Sequence, residues 1–304
     1  MIRLALALLL LPLGALAQPA MDPLGPSILD TGSGVVDTHS FTLPGPDGAM
    51  DYRIGVLTPR RAPPAAGFPV LFALDGQAVA ELLSDATLSR IDAPLPVIVT
   101  LGYDTDMRFA ALARTRDYTP PGDEGGAVRD PRGRPGGGAP AFLDLLQDAV
   151  VPRVAAIAPI DMTRSTLWGH SYGGLFALYA AGAPASPFAR VVAASPSLWW
   201  DDAGYLARVR ARIDAGDWPQ RPIDLHVGAL ERERASRPAN PNAQKLVKMR
   251  AALPEDALQD LAQTLRGAGI PGALHVFAGL SHGETFGASI ENLLETGFSA
   301  TERD

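Results

Sequence analysis

The pentapeptide Gly-His-Ser-Tyr-Gly at residues 169–173 constrains the fold of this chain more than any other feature. An apolar segment precedes it and a run of small residues follows it, which predicts a buried strand, a sharp turn and a helix. Ser171 would stand at the apex of the turn, where a side chain at Gly169 or Gly173 would crowd the neighbouring strand or helix. The helix that begins there offers unpaired backbone N–H groups and the positive end of its dipole. We interpret Ser171 as a nucleophile; the alternative is an ordinary glycine-rich turn with an idle serine.

The first 17 residues have the pattern of a secretory signal peptide. A short basic start at 1–3 is followed by an uncharged apolar run at 4–16 and by the small-residue cleavage pattern Ala-Leu-Ala at 15–17. The run is shorter than the roughly 20 residues that span a bilayer, so an uncleaved anchor is only the alternative. The chain has no cysteine, so we expect neither disulfides nor a lipid-anchored start. We predict a periplasmic or secreted protein with no stable membrane insertion after cleavage.

Cleavage would leave 287 residues, which is enough for one large domain with a substantial core. We predict a loosely ordered arm at 18–34, rich in Pro, Gly and Asp, and a single domain at 35–304. The formal charge of −7 gives no support to a nucleic-acid partner or to an anionic membrane surface.

Hydrophobic patterning predicts the fold class. Two segments in which apolar and polar residues alternate are separated by a cluster of turn-forming residues, which predicts an antiparallel hairpin. The later apolar segments are nearly continuous, as in parallel strands that are buried on both faces. The predicted strands are Val35–Leu43, Tyr52–Leu57, Phe68–Leu74, Pro96–Leu101, Ser165–Trp168, Arg190–Ala194, Ile223–Val227 and Ala273–Phe277. Helical periodicity is clearest in Ala141–Ala158, Tyr172–Ala181, Ala203–Ala215, Glu255–Gly267 and Glu284–Phe298. This order predicts an α/β-hydrolase fold: a mostly parallel sheet with an antiparallel N-terminal edge hairpin and helices on both faces.

A long segment at 103–139 shows little regular periodicity. It leaves the carboxyl end of a predicted parallel strand, the edge where such sheets place their sites. We predict that residues 108–121 are ordered near the site and that the Gly-rich insertion at 122–138 is flexible.

A hydrolytic serine needs a base and a group that orients the base. His282 follows the last predicted strand, at the same edge as Ser171 and in the chain order serine, acid, histidine, so we assign it as the base. The acid should follow the strand at 223–227. Glu231 is the first carboxylate in reach and Glu233 the second; the alternative is a solvated charged loop, with a backbone carbonyl or water holding the histidine.

The other four histidines are interpreted as structural. His170 adjoins the nucleophile but should point elsewhere, because adjacent side chains diverge in such a turn. The remaining three lie within predicted strands: His39, His226 and His275.

An oxyanion hole needs two backbone donors. The N–H of Tyr172 follows the nucleophile and is the first. We predict that the second is the N–H of Gln77, with Gly76 next, in the loop after the third strand.

Several motifs together resemble the putative esterase (esterase D-like) family of α/β-hydrolases. They are the segments at 74–76, 169–174, 195–200, 227–231 and 281–283. The segment Arg-Thr-Arg-Asp-Tyr-Thr-Pro at 114–120 is most similar to the branch of periplasmic siderophore esterases that open enterobactin- and salmochelin-type trilactones. The resemblance implies a serine esterase with such a substrate. Some members of that branch work with a Ser-His pair alone, which leaves the role of Glu231 open.

The residues that define the branch also have a physical interpretation. Arg108, Arg114 and Arg116 leave the edge that carries the site, and an arginine there suits an anionic or catecholate-rich substrate. Asp117 could hold one guanidinium in a bidentate pair, and a salt-bridged loop that only shapes the edge is the alternative. Trp199 and Trp200 follow another strand at the same edge, where one or the other could wall an acyl or aryl pocket. Two adjacent indoles point in different directions, so at least one should be core.

Three functions remain open from the sequence. The first is a secreted serine esterase that acts on siderophore-type trilactone or aryl-serine esters. The second is an acyltransferase on the same fold, and the third is a non-catalytic ligand-binding protein. No Cys or His cluster has metal-ligand spacing and no Gly-rich loop has a phosphate-binding context, so no cofactor or metal is predicted.

Overall fold

The computed structural model describes residues 24–232 and 241–298. The predicted signal peptide at 1–17, the start of the arm and the alternative acid Glu233 lie outside these residues. The chain forms eight strands: β1 Val36–Leu43, β2 Tyr52–Pro59, β3 Phe68–Leu74, β4 Val97–Tyr103, β5 Ile160–His170, β6 Arg190–Ala194, β7 Ile223–Gly228 and β8 Leu274–Phe277.

The strands make one sheet with the order β1-β2-β4-β3-β5-β6-β7-β8. β1 pairs antiparallel with β2 and β2 pairs antiparallel with β4, whereas every pairing from β4 to β8 is parallel. All residues of β3 and β4 are buried, as their continuous apolar sequences predicted. The predicted fold class, an α/β-hydrolase sheet with an antiparallel edge hairpin, is confirmed.

Helices cover both faces of the sheet. They are α1 Ile28–Thr31, α2 Gly76–Leu82, α3 Asp85–Leu88, α4 Ala111–Tyr118, α5 Ala139–Leu145, α6 Val151–Ile157, α7 Tyr172–Gly182, α8 Gly204–Asp214, α9 Pro241–Ala252, α10 Ala257–Gly267 and α11 Glu284–Thr296. Two buried clusters hold the layers together. One packs α4 to α10 against the sheet, and the other packs α1, α2, α3 and α11 against the opposite face. None of the helices in the described part of the chain is long and apolar enough to cross a bilayer.

Two local predictions differ from the structure. The helix predicted at 141–158 begins at Ala139 and contains a π-helical turn at Leu146–Val150 before α6. Pro152 explains the break, because it has no N–H to donate into the regular ladder. The segment at 103–139, which shows little regular periodicity, contains a helix that was not predicted, α4, within the stretch 108–121 that was expected to be ordered. This helix is rich in charged residues and has a weak apolar stripe, so its sequence pattern does not reveal it.

The described part of the predicted N-terminal arm contacts the domain. Leu24 donates its backbone N–H to the carbonyl of Asp106 at 2.8 Å. The side chain of Ile28 is buried in the same cluster as α2. Within the insertion at 122–138, Asp130 is buried and forms an ion pair with Arg134.

Candidate active site

Five strand ends bring polar residues to one edge of the sheet. Because β3 and β5 to β8 are parallel, the residues that follow them meet at their common carboxyl end. These residues are Asp75, Ser171, Ser195, Glu231 and His282.

The turn between β5 and α7 holds Ser171 in an unusual conformation. Its φ is 59° and its ψ is −112°, a region that residues other than glycine rarely adopt. The Ser171 N–H donates to the carbonyl of Ala194 at 2.9 Å, which ties the turn to β6. The backbone conformation therefore matches the sharp turn that the pentapeptide predicts.

The glycines of the turn have different roles from those expected. A side chain at Gly169 would come within 2.4 Å of the Gly173 backbone, so the predicted crowding is present there. At Gly173 a β-carbon would make only an ordinary contact, 3.4 Å from Leu74. The second tight position is Gly174, where a β-carbon would lie 2.5 Å from the Ala194 carbonyl oxygen. Close packing of α7 on β6 thus depends on Gly174.

The hydroxyl of Ser171 contacts a second serine. Its Oγ lies 3.3 Å from the Oγ of Ser197, and the backbone N–H of Ser197 donates to the Ser171 carbonyl at 3.1 Å. Ser197 was not predicted as a site residue, although it lies in the Ser-Pro-Ser-Leu-Trp-Trp segment at 195–200, after β6.

The carboxylate of Glu231 is hydrogen-bonded to the imidazole of His282. The Nδ1 atom of His282 lies 3.1 Å from Oε2 of Glu231. The other carboxylate oxygen accepts hydrogen bonds from the Ser195 hydroxyl and, at 3.0 Å, from the Gly228 N–H. Burial alone would raise the pKa of Glu231, but His282, Ser195 and Gly228 outweigh it and lower that pKa to about 2.

The ionised carboxylate determines the tautomer of His282. A carboxylate only accepts hydrogen bonds, so Nδ1 carries the proton and Nε2 carries the lone pair. Burial and the positive charge of Arg250 lower the pKa of His282 below its ordinary value, against the opposing effect of Glu231. The imidazole is therefore neutral near pH 7 and able to accept a proton at Nε2.

Arg250 on α9 approaches the same imidazole. Its Nη2 lies 3.4 Å from Nε2 of His282, which is long for a hydrogen bond. Arg250 was not predicted as a site residue, because α9 carries no motif and lies 32 residues from His282 along the chain.

His170 contacts His282, and the expectation that it points away from the site is wrong. Its Nε2 lies 2.8 Å from the carbonyl oxygen of His282, and the two ring centroids are 4.6 Å apart. Burial, then the neighbouring His282, lowers the pKa of His170 well below its ordinary value, so the ring stays neutral. The residue next to Ser171 therefore supports the backbone of His282.

The predicted oxyanion donors lie at the first turns of two helices. Helical hydrogen bonding in α2 begins with Val79 N–H to the Asp75 carbonyl, and in α7 with Leu175 N–H to the Ser171 carbonyl. The N–H groups of Gly76, Gln77 and Tyr172 precede those bonds, where a helix has no partner of its own for them. The Gln77 side chain donates to the carbonyl of Tyr103, which anchors this residue to β4.

Each of the three predicted substrate-binding arginines pairs with a carboxylate. Arg114 makes two hydrogen bonds to Asp75, at 2.8 and 2.7 Å. Arg116 makes two to Asp117, at 2.6 and 2.8 Å. Arg108 pairs with Glu81 at 2.8 Å.

A cleft of about 1150 Å³ opens beside His282. Trp199 lines it, together with Glu231, Arg250 and the α9–α10 connection. Trp200 is not among the lining residues: it is buried and donates from Nε1 to the carbonyl of Pro120 at 3.0 Å. Its indole is held in the core, as predicted for at least one of the two, so Trp200 does not wall this cleft.

Within residues 24–232 and 241–298, no group of three or more acidic or histidine side chains is arranged to hold a metal ion. His226, another buried histidine, bonds to Ser289 through Nδ1 at 2.9 Å, away from this cleft.

Comparisons with known proteins agree on one family. A family model described as "Putative esterase" matches residues 49–295. The chain is 38% identical over 198 residues to an apo-salmochelin esterase of Escherichia coli O6:H1 (strain CFT073). This match covers 64% of this chain and 62% of that protein, which is somewhat under two thirds of the relative's length. It is 31% identical over 243 residues to the ferri-bacillibactin esterase BesA of Bacillus subtilis (strain 168), covering 73% of this chain and 83% of BesA.

A solved structure is similar over nearly the whole domain. The enterobactin hydrolase IroE in complex with DFP superposes with a TM-score of 0.70 and 29% identity, covering 89% of this chain and 98% of that one.

Proposed function

The chain belongs to the putative esterase family, and we propose that it is an exported serine hydrolase that cleaves carboxylic esters through an acyl-enzyme on Ser171. One observation carries the proposal: the His282–Glu231 pair stands at the sheet edge that also presents Ser171 at the apex of its turn. A serine, a base and an acid that orients the base are the parts that acyl transfer requires. Export rests on the signal-peptide pattern at 1–17, outside the described residues.

In the proposed reaction, Ser171 Oγ attacks the ester carbonyl while His282 Nε2 takes the hydroxyl proton. The imidazolium is stabilised by Glu231 and returns the proton to the leaving alcohol. Water then repeats the sequence on the acyl-enzyme. The N–H groups of Tyr172 and Gln77, with Gly76 beside them, would bind the oxyanion of each tetrahedral intermediate.

The proposed proton transfer requires two weak contacts to break. The Ser171 hydroxyl must leave Ser197, at 3.3 Å, and the His282 nitrogen must leave Arg250, at 3.4 Å. Both distances exceed those of good hydrogen bonds. Catalytic hydrogen bonds are often long or poorly aligned in free enzymes and tighten only when substrate binds.

We propose a siderophore ester, of the trilactone or aryl-serine type, as the substrate. The named activities of the relatives, an apo-salmochelin esterase and a ferri-bacillibactin esterase, support this class. The cleft of about 1150 Å³ has the volume for such a ligand, since pockets for drug-sized ligands run to roughly 1,000 Å³, and it reaches the site at His282 and Glu231, while Ser171 is not among its lining residues. Trp199 is the predicted substrate-binding residue whose position favours a contact, because it lines that cleft.

Product analysis tests the proposal. The mature chain is incubated with a catecholate trilactone, free and iron-loaded, and the products are identified by mass spectrometry. We expect linear hydrolysis products and a covalent adduct on Ser171 with a fluorophosphonate. A competing alcohol separates the alternatives, since ester exchange in place of hydrolysis would indicate an acyltransferase. Absence of both turnover and labelling would leave a non-catalytic binding protein.

The pH dependence of kcat/KM should report the lowered pKa of His282. Only the neutral imidazole accepts the serine proton, so activity falls as the pH drops through that pKa. Burial and Arg250 lower this pKa below 6.5, the ordinary histidine value. The midpoint of the acid limb, the part of the profile in which kcat/KM falls with falling pH, is therefore expected below pH 6.5. An acid limb at or above pH 6.5 would contradict this arrangement.

Replacing Arg250 tests the cause of the shift. Arg250→Gln removes a positive charge near Nε2, so the pKa of His282 should rise and the acid limb should move to higher pH. Arg266→Gln is the control, because Arg266 is exposed on α10 and does not line the cleft. An unchanged limb in Arg250→Gln would show that burial alone lowers the pKa.

A further inference from the structure

We infer that Arg250 is a specificity-determining residue: its guanidinium contacts the lone pair that must receive the serine proton, and a negatively charged group on the substrate draws it away. The inference deepens the proposed function and rests on it, because it concerns which esters the Ser171 site accepts. The substrate class that follows is an ester with an anionic group close to the scissile bond.

Arg250 contacts the one nitrogen of His282 that can accept a proton. The Nδ1 atom of His282 is bonded to Glu231, so it carries a proton, and only Nε2 has a lone pair. Nη2 of Arg250 lies 3.4 Å from that Nε2. A guanidinium has donors and no acceptor, so its N–H is the donor in this contact. The Ser171 hydroxyl needs the same lone pair when it gives up its proton.

The nucleophile and the base each face another partner. Ser171 Oγ lies 3.3 Å from the Oγ of Ser197, while Nε2 of His282 faces Arg250. Both contacts are longer than good hydrogen bonds, so little free energy is needed to break them. Substrate binding must therefore turn the base from Arg250 to Ser171, and the group that moves Arg250 decides how readily this happens.

The charge of Arg250 opposes the reaction as much as its position does. His282 becomes an imidazolium when it takes the proton, and a like charge nearby disfavours the charged form of a group. Burial, and then the charge of Arg250, already lower the pKa of His282. An ester that leaves the guanidinium in place thus reacts slowly. An ester that neutralises it removes the repulsion.

The cleft brings substrate to Arg250. This half-buried side chain lines the cleft of about 1150 Å³ together with His282 and Trp199. The three arginines that the sequence suggested for substrate binding are not among the lining residues: Arg108, Arg114 and Arg116. A leaving oxygen at hydrogen-bond distance from Nε2 would lie beside the guanidinium of Arg250, because that group is 3.4 Å from the same nitrogen.

An anion competes well for this guanidinium. Charge-assisted bonds from arginine to a carboxylate are roughly twice as strong as neutral hydrogen bonds and are about 2.7–2.9 Å long. The contact with the neutral imidazole is long by comparison, at 3.4 Å. Exchange of one partner for the other is therefore favourable, and it both releases the lone pair and neutralises the charge. Only the long side chain has to turn, and the backbone of α9 can stay where it is.

The other charged residues of the cleft restrict where the anion can lie. Arg232 donates to the carbonyls of Leu253 and Pro254, which holds it against the α9–α10 connection. Glu255 and Asp256 follow in the chain and also line the cleft, so they disfavour an anion at that end. Selection thus depends on the position of Arg250 beside His282. A carboxylate or a catecholate next to the ester oxygen meets this requirement.

A matched pair of substrates tests the inference. The anion 3-acetoxybenzoate and the neutral 3-acetoxybenzamide have the same ester and similar shapes. In Arg250→Gln, kcat/KM should rise on the benzamide, because the lone pair is no longer contacted by a cation, and should fall on the benzoate. The ratio of the two values should drop by about 10- to 100-fold, the range that one charge-assisted hydrogen bond contributes. Both are measured on the pH plateau above the acid limb, so that a shift in the pKa of His282 does not contribute.

Lys248→Gln is the matched control. Lys248 is an exposed positive charge on the same helix and does not line the cleft, so the ratio should be unchanged. Arg250→Lys keeps the charge but loses the two-pronged geometry, and it should retain a smaller preference for the benzoate. It also keeps the test valid if Arg250→Gln does not fold, which a thermal melt checks. The rate at which a neutral fluorophosphonate labels Ser171 should rise in Arg250→Gln, because this rate also depends on access to the base.

The outcomes separate the inference from the proposed function. Equal losses on the two esters in Arg250→Gln would show a structural role only. A loss on the benzoate without a gain on the benzamide would show that Arg250 binds the anion but does not restrain the base, and either result overturns the inference. The same holds if Lys248→Gln changes the ratio as much. If the wild type hydrolyses neither ester and does not react with the fluorophosphonate, the proposed function itself fails, and this result is seen before any variant is made.

Discussion

Replacing Ser171 by alanine is expected to abolish ester hydrolysis and to leave the fold intact. The loss of kcat should be about 10⁴–10⁶-fold, the range for removal of a nucleophile that acts together with a base. The change removes one oxygen atom at the apex of a turn whose backbone is held by bonds to Ala194 and Leu175. The melting temperature should therefore remain close to that of the wild type. Kinetics with a small neutral ester and a thermal melt are the two measurements.

His282→Ala should cost about as much as Ser171→Ala, and the double variant little more than either, because the residues act as a unit. The controls are Ser40→Ala and His39→Ala, which change the same residue types at exposed positions of β1. More than a tenth of wild-type turnover in Ser171→Ala would rule out the acyl-enzyme mechanism.

Glu231→Gln is expected to produce the second largest loss, about 10³–10⁴-fold in kcat. An amide in place of the carboxylate can offer its NH₂ group to Nδ1 and so favour the wrong tautomer of His282, an effect that costs about 10⁴-fold in serine proteases. The variant also loses the charge that stabilises the imidazolium. Because Glu231 raises the pKa of His282, the acid limb of kcat/KM should move to lower pH in the residual activity.

Glu295→Gln is the control for this change, since Glu295 is exposed near the end of α11. The result also decides between two forms of the site. If Glu231→Gln keeps more than a tenth of the wild-type kcat, the chain works with a Ser-His pair alone. In that case the bonds from Ser195 and Gly228 to Glu231 serve the conformation of the loop.

Local sequence signals were sufficient for the sheet and for the nucleophile turn. The eight predicted strands are all present, because continuous apolar runs have few alternatives to burial in a sheet. The glycines at the turn and the small residues after it similarly restrict the chain to a tight connection between β5 and α7. The placement of His282 and Glu231 at the same edge of the sheet as Ser171 also followed from the predicted strands, because the carboxyl ends of parallel strands lie on one side of a sheet.

Tertiary contacts decided the rest of the site. The approach of Arg250 to His282 and the bond from His170 to the His282 carbonyl join segments more than 30 residues apart. No periodicity or motif encodes the distance between such segments.

The arginines of the 103–139 segment show most clearly that sequence patterns do not reveal which distant residues come into contact. Their sequence indicated positive charge near the site, and this charge alone was compatible with binding an anionic substrate. Only the folded chain brings a carboxylate from the end of β3 against Arg114 and buries the pair. The composition of the chain thus determined which charged side chains are available. Packing determined which of them are paired with an opposite charge, because a buried charge requires a partner of opposite sign.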